Sequence, residues 1–377
     1  TAPSALTSCL LVWLVYTVPE HPASPWGLST TLLVIMKPLS EFPRVTLAHK
    51  PTPLDSMERL GQLLGGRTLF VKRDDCTGLA MGGNKARQLE FYFGDAVSKG
   101  ATTILVTGAV QSNYVRSVAA AAAKLGLECE VQLENRVQGM GDEYQQSGNV
   151  LLNRLFGATI HTYPEGEDES GADRSLENIA EKIKERGRKP YVIHLAVGHP
   201  PLGALGYVEA TNELLNQLEE RGASLDAIIV PSGSALTHAG ILVGLHLHGR
   251  NDTKVYGICV RRNRRAQAER VFQVASQTAE LLNFRMSLKQ DDIMTFDDYL
   301  QPGYGHPSPD TIKAIKLGAQ TEGLLLDPVY SGKAFTGLIS LSEQGVLKPE
   351  TNIVFLHTGG TPALFVYQNH FINTQQA

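Results

Sequence analysis

The chain has 377 residues, which is enough for two domains of ordinary size and a large core. Hydrophobic residues make up 42% of it and charged residues 19%, alongside 36 glycines, a composition typical of a globular α/β protein and unlike that of a disordered or fibrous chain. The net charge of −4 argues against a nucleic-acid partner.

Residues 1–36 differ in composition from the rest of the chain. They carry one charge, Glu20, and two apolar stretches that are too short to span a bilayer. They lack the basic residues of a secretory signal or a transit peptide. Because Met36, Lys37 and Pro38 read like a natural start, we interpret residues 1–36 as an extension of no assigned function. The alternative is a weakly membrane-associating tail, and otherwise no membrane contact is expected.

The four cysteines, at positions 9, 76, 129 and 259, are far apart and show no CxxC spacing. We interpret them as reduced, mostly buried thiols of a cytoplasmic protein, and not as a disulfide or zinc framework.

A glycine turn introduces a lysine at the start of a predicted helix. The apolar run 68–71 and the charged cluster 72–75 precede Met-Gly-Gly-Asn-Lys at 81–85, and apolar residues recur at helical spacing over 86–98. Lys85 would therefore be partly buried at the positive end of a helix dipole, and both effects lower an amine pKa. Such an amine suits Schiff-base chemistry with an aldehyde cofactor. The alternative is a turn followed by a surface lysine.

From residue 100 onward, strand and helix patterns alternate. Strands are predicted at 103–107, 128–133, 159–162, 191–195, 227–230, 254–260 and 353–357. Helices are predicted at 114–125, 145–156, 176–186, 207–218, 238–247, 266–282 and 310–322, with a short one near 362. The pattern predicts an α/β fold with parallel sheets, in which residues 88–195 form a smaller unit with its own sheet. Residues 165–173, acidic and glycine-rich, are expected to be an exposed loop.

Two polar loops follow predicted strands, where ligands bind in open parallel sheets. Residues 232–237 combine hydroxyls and a glycine at a helix start, which suits a phosphate group. They lack the spacing of a nucleotide-binding loop or a dinucleotide fingerprint. Residues 111–113 offer two amides and a hydroxyl for a carboxylate. For both loops the alternative is an ordinary helix cap.

Other polar groups give weaker predictions. Tyr304 and Tyr330 lie on sharp turns, where most tyrosines simply pack. The basic run 261–265 is expected to be solvated surface. His246 and His248 face different directions on a helix and have no carboxylate or cysteine partner, so no metal site is predicted.

Together these segments resemble the pyridoxal-phosphate enzymes of the tryptophan-synthase-β fold, in the branch of D-cysteine desulfhydrase and 1-aminocyclopropane-1-carboxylate deaminase. The resemblance extends from about residue 42 to 367, and its motifs stand in shared order and spacing. The matching segments are 51–54 (PTPL), 72–75 (KRDD), 82–85 (GGNK), 111–113 (QSN), 302–305 (PGYG), 327–330 (DPVY) and 357–360 (HTGG).

The resemblance implies pyridoxal 5'-phosphate as cofactor and two domains of fold type II. The larger, cofactor-binding domain would comprise residues 37–87 and 196–377, and the smaller residues 88–195. Lys85 would bind the cofactor and act as the base at Cα. The other implied catalytic residues are Ser112, Tyr304 and Tyr330. The implied cofactor-binding residues are Asn113, Ser232, Gly233, Ser234, Ala235, Leu236, Thr237, Ser331 and Thr358.

Two positions favour β-elimination over opening of a cyclopropane ring. The ring-opening deaminases resemble this chain but carry Glu and Leu where it has Ser331 and Thr358. Hydroxyls near the pyridine nitrogen suit the loss of a good leaving group such as thiolate. We therefore predict conversion of D-cysteine to pyruvate, sulfide and ammonia. L-cysteate sulfo-lyase, with Arg261 or Arg262 serving the sulfonate, is the nearest alternative, and the cyclopropane deaminase is a further one.

The chain departs from the family pattern at Gln88, Tyr114, Leu236 and residues 196–201, which leaves the exact substrate open. A cofactor-binding protein without catalytic activity is an alternative of another class. A nicotinamide dehydrogenase is supported only by the α/β pattern. The resemblance also implies a homodimer.

Overall fold

The computed structural model describes residues 15–16 and 34–372. The predicted extension, residues 1–36, falls outside this part except for 15–16 and 34–36. Strands β1 (Val15–Tyr16) and β2 (Val34–Ile35) pair antiparallel. Across the described residues, no helix is both long enough and apolar enough to cross a membrane.

A six-stranded sheet forms the larger layer of the fold. Its strands are β3 (Leu54–Ser56), β4 (Thr68–Arg73), β9 (Ala227–Ser232), β10 (Lys254–Cys259), β11 (Thr295–Phe296) and β12 (Asn352–His357). Their order is β11-β10-β9-β12-β4-β3, and all pairs are parallel except β3 with β4. Because side chains alternate along a strand, Ile228 and Val230 pack in a cluster on one face while Ile229 packs in another on the opposite face.

A second, four-stranded sheet is wholly parallel. It contains β5 (Thr103–Ala109), β6 (Glu128–Glu134), β7 (Thr159–Tyr163) and β8 (Pro190–Ile193), in the order β7-β6-β5-β8. β5 is buried along its whole length, as expected for a central parallel strand covered on both faces. All four strands fall within the predicted smaller unit, residues 88–195. The domain boundaries themselves stay a prediction.

Helices cover both sheets. Those outside the predicted smaller unit, residues 88–195, are α1 (Glu58–Leu63), α7 (Leu202–Glu220), α8 (Leu236–Leu247), α9 (Arg264–Leu281), α10 (Pro309–Glu322), α11 (Ser331–Glu343), α12 (Thr361–Phe365) and α13 (Asn369–Ile372). The others are α2 (Lys85–Ser98), α3 (Asn113–Lys124), α4 (Asp142–Gln146), α5 (Gly148–Leu155) and α6 (Glu169–Glu185). The α/β fold class with mostly parallel sheets is therefore confirmed.

Several helix boundaries differ from the prediction. The helix expected at 145–156 is two helices, because the chain leaves helical geometry at Ser147 and Gly148 has φ +56°. Helix α6 begins at Glu169, where the side chain of Asp168 accepts a hydrogen bond from the Gly171 N–H at 2.8 Å. The expected exposed loop at 165–173 is consequently wrong from residue 169 onward. Helix α11 was not foreseen, although its buried residues 334, 335, 338 and 341 have helical spacing.

The described cysteines agree with the prediction of free thiols. Cys129 and Cys259 are buried and Cys76 is exposed, and none forms a disulfide. Cys9 lies outside the described residues.

Candidate active site

One cavity lies where the carboxyl ends of β5, β9, β10 and β12 meet, with a volume of about 1310 Å³ that includes its open mouth. Its lining contains all but one of the catalytic and cofactor-binding residues that the resemblance implies. They are Lys85, Ser112, Asn113, Ser232, Gly233, Ser234, Ala235, Leu236, Thr237, Tyr304, Tyr330 and Thr358. The exception, Ser331, does not line the cavity.

The turn before Lys85 requires its glycines. Gly82 and Gly83 have φ values of +70° and +122°, which side chains rarely tolerate. A Cβ on Gly82 would lie 1.8 Å from the carbonyl oxygen of Asp75. The next residue, Asn84, donates its backbone N–H to the Thr358 carbonyl at 3.1 Å. This packing fixes Lys85 as the first residue of α2.

Lys85 has the chemistry expected of a reactive amine. Burial lowers its pKa to about 8, because a desolvated ammonium is disfavoured relative to the neutral amine. Among the residues that the structure describes, no acidic group opposes that effect, and the amine lies over the ring of Tyr114, whose centroid is 5.7 Å from Nζ. The helix dipole is not needed to account for the shift.

The loop 232–237 leads into α8 without a side-chain cap. The residue before the helix, Ala235, has φ +79°, a left-handed conformation that is strained for a residue other than glycine. The N–H groups of the first helical turn have no partner within the helix, and the loop that carries them lines the cavity. The capping alternative is therefore excluded for this loop, and an anion is the natural partner of these donors.

Thr237 is held by two amides. The side chains of Asn84 and Gln88 each donate to its Oγ1, at 2.9 and 2.8 Å. With both lone pairs of the hydroxyl occupied, its proton is free to be donated to another group. Gln88 therefore contributes to the site by orienting Thr237.

The three side chains of the loop 111–113 differ in role: one makes buried structural contacts, and the other two line the cavity. Gln111 is buried, donates to the carbonyls of Tyr144 and Ser147, and does not line the cavity. Ser112 caps α3, accepting the Val115 N–H at 3.2 Å. Asn113 lines the cavity and accepts from Asn149 at 3.0 Å. Two of the three side chains thus remain available to a ligand, while the amide of Gln111 does not.

The two tyrosines come together although 26 residues separate them. Their hydroxyl oxygens are 2.7 Å apart, and their rings meet edge to face with centroids 6.1 Å apart. Burial, and then the neighbouring Tyr304, raise the pKa of Tyr330 well above its usual value. Tyr330 therefore presents a neutral phenol to the cavity.

Ser331 is fully buried beside the cavity. Its hydroxyl donates to the Asp327 carboxylate at 2.7 Å and lies 3.4 Å from the Gly359 carbonyl. Thr358, in contrast, lines the cavity. The resemblance implied both hydroxyls, but the sequence could not show that Asp327 accepts a hydrogen bond from Ser331.

The expectation of a solvated basic surface is wrong for Arg261 and Arg262. Their side chains are 5% and 19% exposed, they line the cavity, and both pair with Glu169. Arg270 of α9 pairs with the same carboxylate at 2.9 Å. No local sequence pattern reveals this cluster, because its acidic member is more than ninety residues away along the chain.

A further group near the cavity was also missed. Asp173, His194 and His199 each have a possible metal-ligand atom within 4.8 Å of the others. The two imidazole rings are stacked, with centroids 3.6 Å apart and an interplanar angle of 7°. Parallel rings direct their nitrogen lone pairs in parallel planes, so this arrangement does not converge on one ion.

The cavity fits the cofactor that the resemblance implies. The uncapped start of α8 offers N–H donors for a phosphate group. A buried amine without an acidic partner offers a nucleophile for an aldehyde. Pyridoxal phosphate carries both groups on one ring.

Comparisons with known proteins agree with this fit. A family model described as pyridoxal-phosphate dependent enzyme matches residues 45–359. The chain is also 45% identical, over 332 residues, to D-cysteine desulfhydrase of Klebsiella pneumoniae subsp. pneumoniae, an alignment that covers 88% of this chain and 98% of that enzyme.

Solved structures give the same result. A homologue of ACC deaminase superposes with a TM-score of 0.78 and 35% identity, covering 88% of this chain and 97% of that one. Diaminopropionate ammonia lyase of Escherichia coli has a TM-score of 0.61 at 15% identity, over 87% and 88% of the two chains. L-serine ammonia-lyase of Rhizomucor miehei has 0.61 at 18%, over 88% and 99%. The last two likenesses concern the fold alone.

Proposed function

Because this chain belongs to the family of pyridoxal-phosphate-dependent enzymes, we propose that it is a carbon–sulfur lyase that converts D-cysteine and water to pyruvate, sulfide and ammonia. The observation that carries the proposal is the 45% identity to a D-cysteine desulfhydrase along 98% of that enzyme. The ACC deaminase homologue is compatible with it, since ring opening and β-elimination both begin from an amino acid bound to the same cofactor.

The cofactor, when bound, supplies an electron sink that acidifies the C–H bond at Cα. We propose that Lys85 binds the cofactor and afterwards takes the proton from Cα. A low pKa supports this role, since the amine must be neutral to accept that proton at physiological pH. Loss of the thiolate from Cβ then leaves an enamine that hydrolyses to pyruvate and ammonia.

The other groups are proposed to bind and orient. The N–H groups of residues 232–237 and the hydroxyl of Thr237 hold the phosphate. Ser112 and Asn113 hold the substrate carboxylate, and Asn113 also lies near the 3-oxygen of the cofactor. Tyr304 and Tyr330 flank the reacting carbons, where one neutral phenol can donate a proton to the departing sulfur.

The hydroxyls of Ser331 and Thr358 are proposed to lie near the pyridine nitrogen of the cofactor. Thr358 reaches the cavity directly. Ser331 would have to give up its bond to Asp327 to do the same. Hydroxyls at this position leave the ring nitrogen unprotonated, which suits the loss of a good leaving group better than the opening of a cyclopropane ring.

A substrate panel tests the proposal. Purified protein saturated with pyridoxal phosphate is assayed for pyruvate on D-cysteine, L-cysteine, L-cysteate, β-chloro-D-alanine and 1-aminocyclopropane-1-carboxylate, with sulfide or sulfite measured in parallel. We expect D-cysteine to be the best physiological substrate and Lys85→Ala to be inactive. Turnover of L-cysteate alone would point to the sulfo-lyase, although both candidate arginines are already paired with Glu169. A yellow protein with no turnover on any substrate would point to a non-catalytic role.

We also propose that the protein works in the cytoplasm as a homodimer. The free thiols of Cys76, Cys129 and Cys259 suit a reducing compartment, and the family resemblance suggests the dimer. Light scattering of the holoprotein is expected to give twice the mass of one chain, and the mass of a single chain would contradict the dimer.

A further inference from the structure

Glu169 forms ion pairs with three guanidinium groups that line the cavity. It is the first residue of α6, which packs on the four-stranded sheet, and its side chain is 14% exposed. Its Oε1 accepts from Nη1 of Arg261 at 2.5 Å and pairs with Arg262. Its Oε2 accepts from Nη1 of Arg270 at 2.9 Å. Arg261 and Arg262 lie in the turn between β10 and α9, and Arg270 lies in α9, so the cluster links the two sheet layers.

Two of these arginines also contact the loop 232–237, which we call the anion-binding loop. Arg262 donates to the carbonyl of Gly233 at 3.1 Å, and Arg270 donates to that of Ser234 at 3.3 Å. In a trans peptide the carbonyl and the following N–H point in opposite directions. Fixing these two carbonyls therefore fixes the directions of the N–H groups of residues 234 and 235, which precede α8.

The third arginine is different. Arg261 donates to the carbonyl of Gly166 at 3.2 Å and to the carboxylate of Glu167 at 3.1 and 3.2 Å, and within the described part of the chain it makes no hydrogen bond to the loop 232–237. Glu167 is 73% exposed. Of these two neighbouring glutamates, Glu169 is therefore connected to the loop 232–237 through Arg262 and Arg270, whereas Glu167 is not.

Charge explains why the loop depends on Glu169. Three guanidinium groups crowd together, and burial and then Arg270 lower the pKa of Arg262 to about 10. A single carboxylate keeps them in contact, and it leaves a surplus of positive charge beside the loop. Without that carboxylate the three cations repel one another at close range, and Arg262 and Arg270 separate from the carbonyls they hold.

We propose that Glu169 is a positioning residue, which sets the N–H groups of the anion-binding loop through Arg262 and Arg270 and thereby governs how tightly the cofactor phosphate is held. This inference rests on the proposed function, in which that loop binds the phosphate.

The test compares the holoenzyme with its Glu169→Gln and Glu167→Gln variants. The dissociation constant of pyridoxal phosphate is measured by the change in protein fluorescence. We expect Glu169→Gln to raise it about tenfold or more, and Glu167→Gln to leave it within about twofold, since Glu167 contacts only Arg261. Excess cofactor should restore the kcat of Glu169→Gln with D-cysteine. A dissociation constant for Glu169→Gln within about twofold of the unaltered protein would overturn the inference.

The outcome separates this inference from the proposed function. If the unaltered protein binds no pyridoxal phosphate, the proposed function fails. If it binds the cofactor and all three proteins bind it equally, only the role of Glu169 fails. Should Glu169→Gln not accumulate as folded protein, Arg262→Gln replaces it, because that change removes one carbonyl contact and spares Arg270. It too is expected to raise the dissociation constant about tenfold, and an unchanged constant would again overturn the inference.

Discussion

The lowered pKa of Lys85 determines how fast the protein stripped of cofactor can take it up again. Only the neutral amine attacks an aldehyde. With a pKa of about 8, roughly one amine in ten is neutral at pH 7, whereas an ordinary lysine of pKa 10.5 has roughly one in three thousand. Burial therefore makes Lys85 about 300-fold more available at neutral pH.

The assay follows the absorbance of the bound cofactor after apoprotein and pyridoxal phosphate are mixed between pH 6 and pH 10. We expect the second-order rate to rise about tenfold per pH unit up to about pH 8 and then to level off. Nα-acetyl-lysine under the same conditions corrects for titration of the reagent, and its rate should rise until about pH 10.5.

A pair of variants tests whether burial without an acidic partner is the cause. Tyr114→Glu places a carboxylate where an aromatic ring now lies 5.7 Å from the Lys85 Nζ, and an opposite charge at that range raises an amine pKa by about 1–3 units. The inflection in the pH–rate profile of Tyr114→Glu should therefore move to higher pH, while the inflection for Tyr114→Phe should stay near pH 8. If the unaltered protein shows no inflection below about pH 10, the reasoning from burial is refuted.

Four further predictions follow from the described contacts. Arg87→Met should lower the free energy of unfolding by about 3–5 kcal/mol in urea titrations, because it removes the cation paired with the buried carboxylate of Asp74 and leaves Glu213 with Lys72 alone; a loss below about 1 kcal/mol would contradict this. Ala235→Gly should raise that free energy by roughly 0.5 kcal/mol, since relief of a left-handed φ exceeds the added entropy of the unfolded chain, and a marked loss would argue against the strain. Gln88→Leu should raise the cofactor dissociation constant about tenfold through Thr237, with unchanged binding as the contrary result. Tyr304→Phe should lower kcat about 100-fold with little change in cofactor affinity, and an unaltered kcat would remove its hydroxyl from the mechanism.

The parts of the fold and site that depend on local sequence could be predicted. Apolar runs at 103–107 and 353–357 became central strands because their side chains are buried on both faces. The glycine turn before Lys85 could be identified because two adjacent glycines favour positive φ angles and a tight turn. The loop 232–237 could be placed because a strand ends and a helix begins there.

The parts that depend on distant partners could not be predicted. The buried state of Arg261 and Arg262 depends on Glu169, and no pattern in the basic run reveals that acceptor. The loss of Gln111 from the ligand site depends on two carbonyl groups more than thirty residues away. The early start of α6 had a local signal, an aspartate followed three residues later by a glycine N–H, but its acidic and glycine-rich composition favoured a loop.

The uncapped start of α8 has a consequence for how the protein is handled. The backbone N–H groups at this helix start recognise an anion by its charge and size, and they do not distinguish the phosphate of a cofactor from an inorganic anion. Protein depleted of its cofactor should therefore take up sulfate or orthophosphate from the buffer, and such salts should slow reconstitution by competition. Selectivity for the cofactor then comes from the amine of Lys85, because an aldehyde can form a bond there that buffer ions cannot imitate.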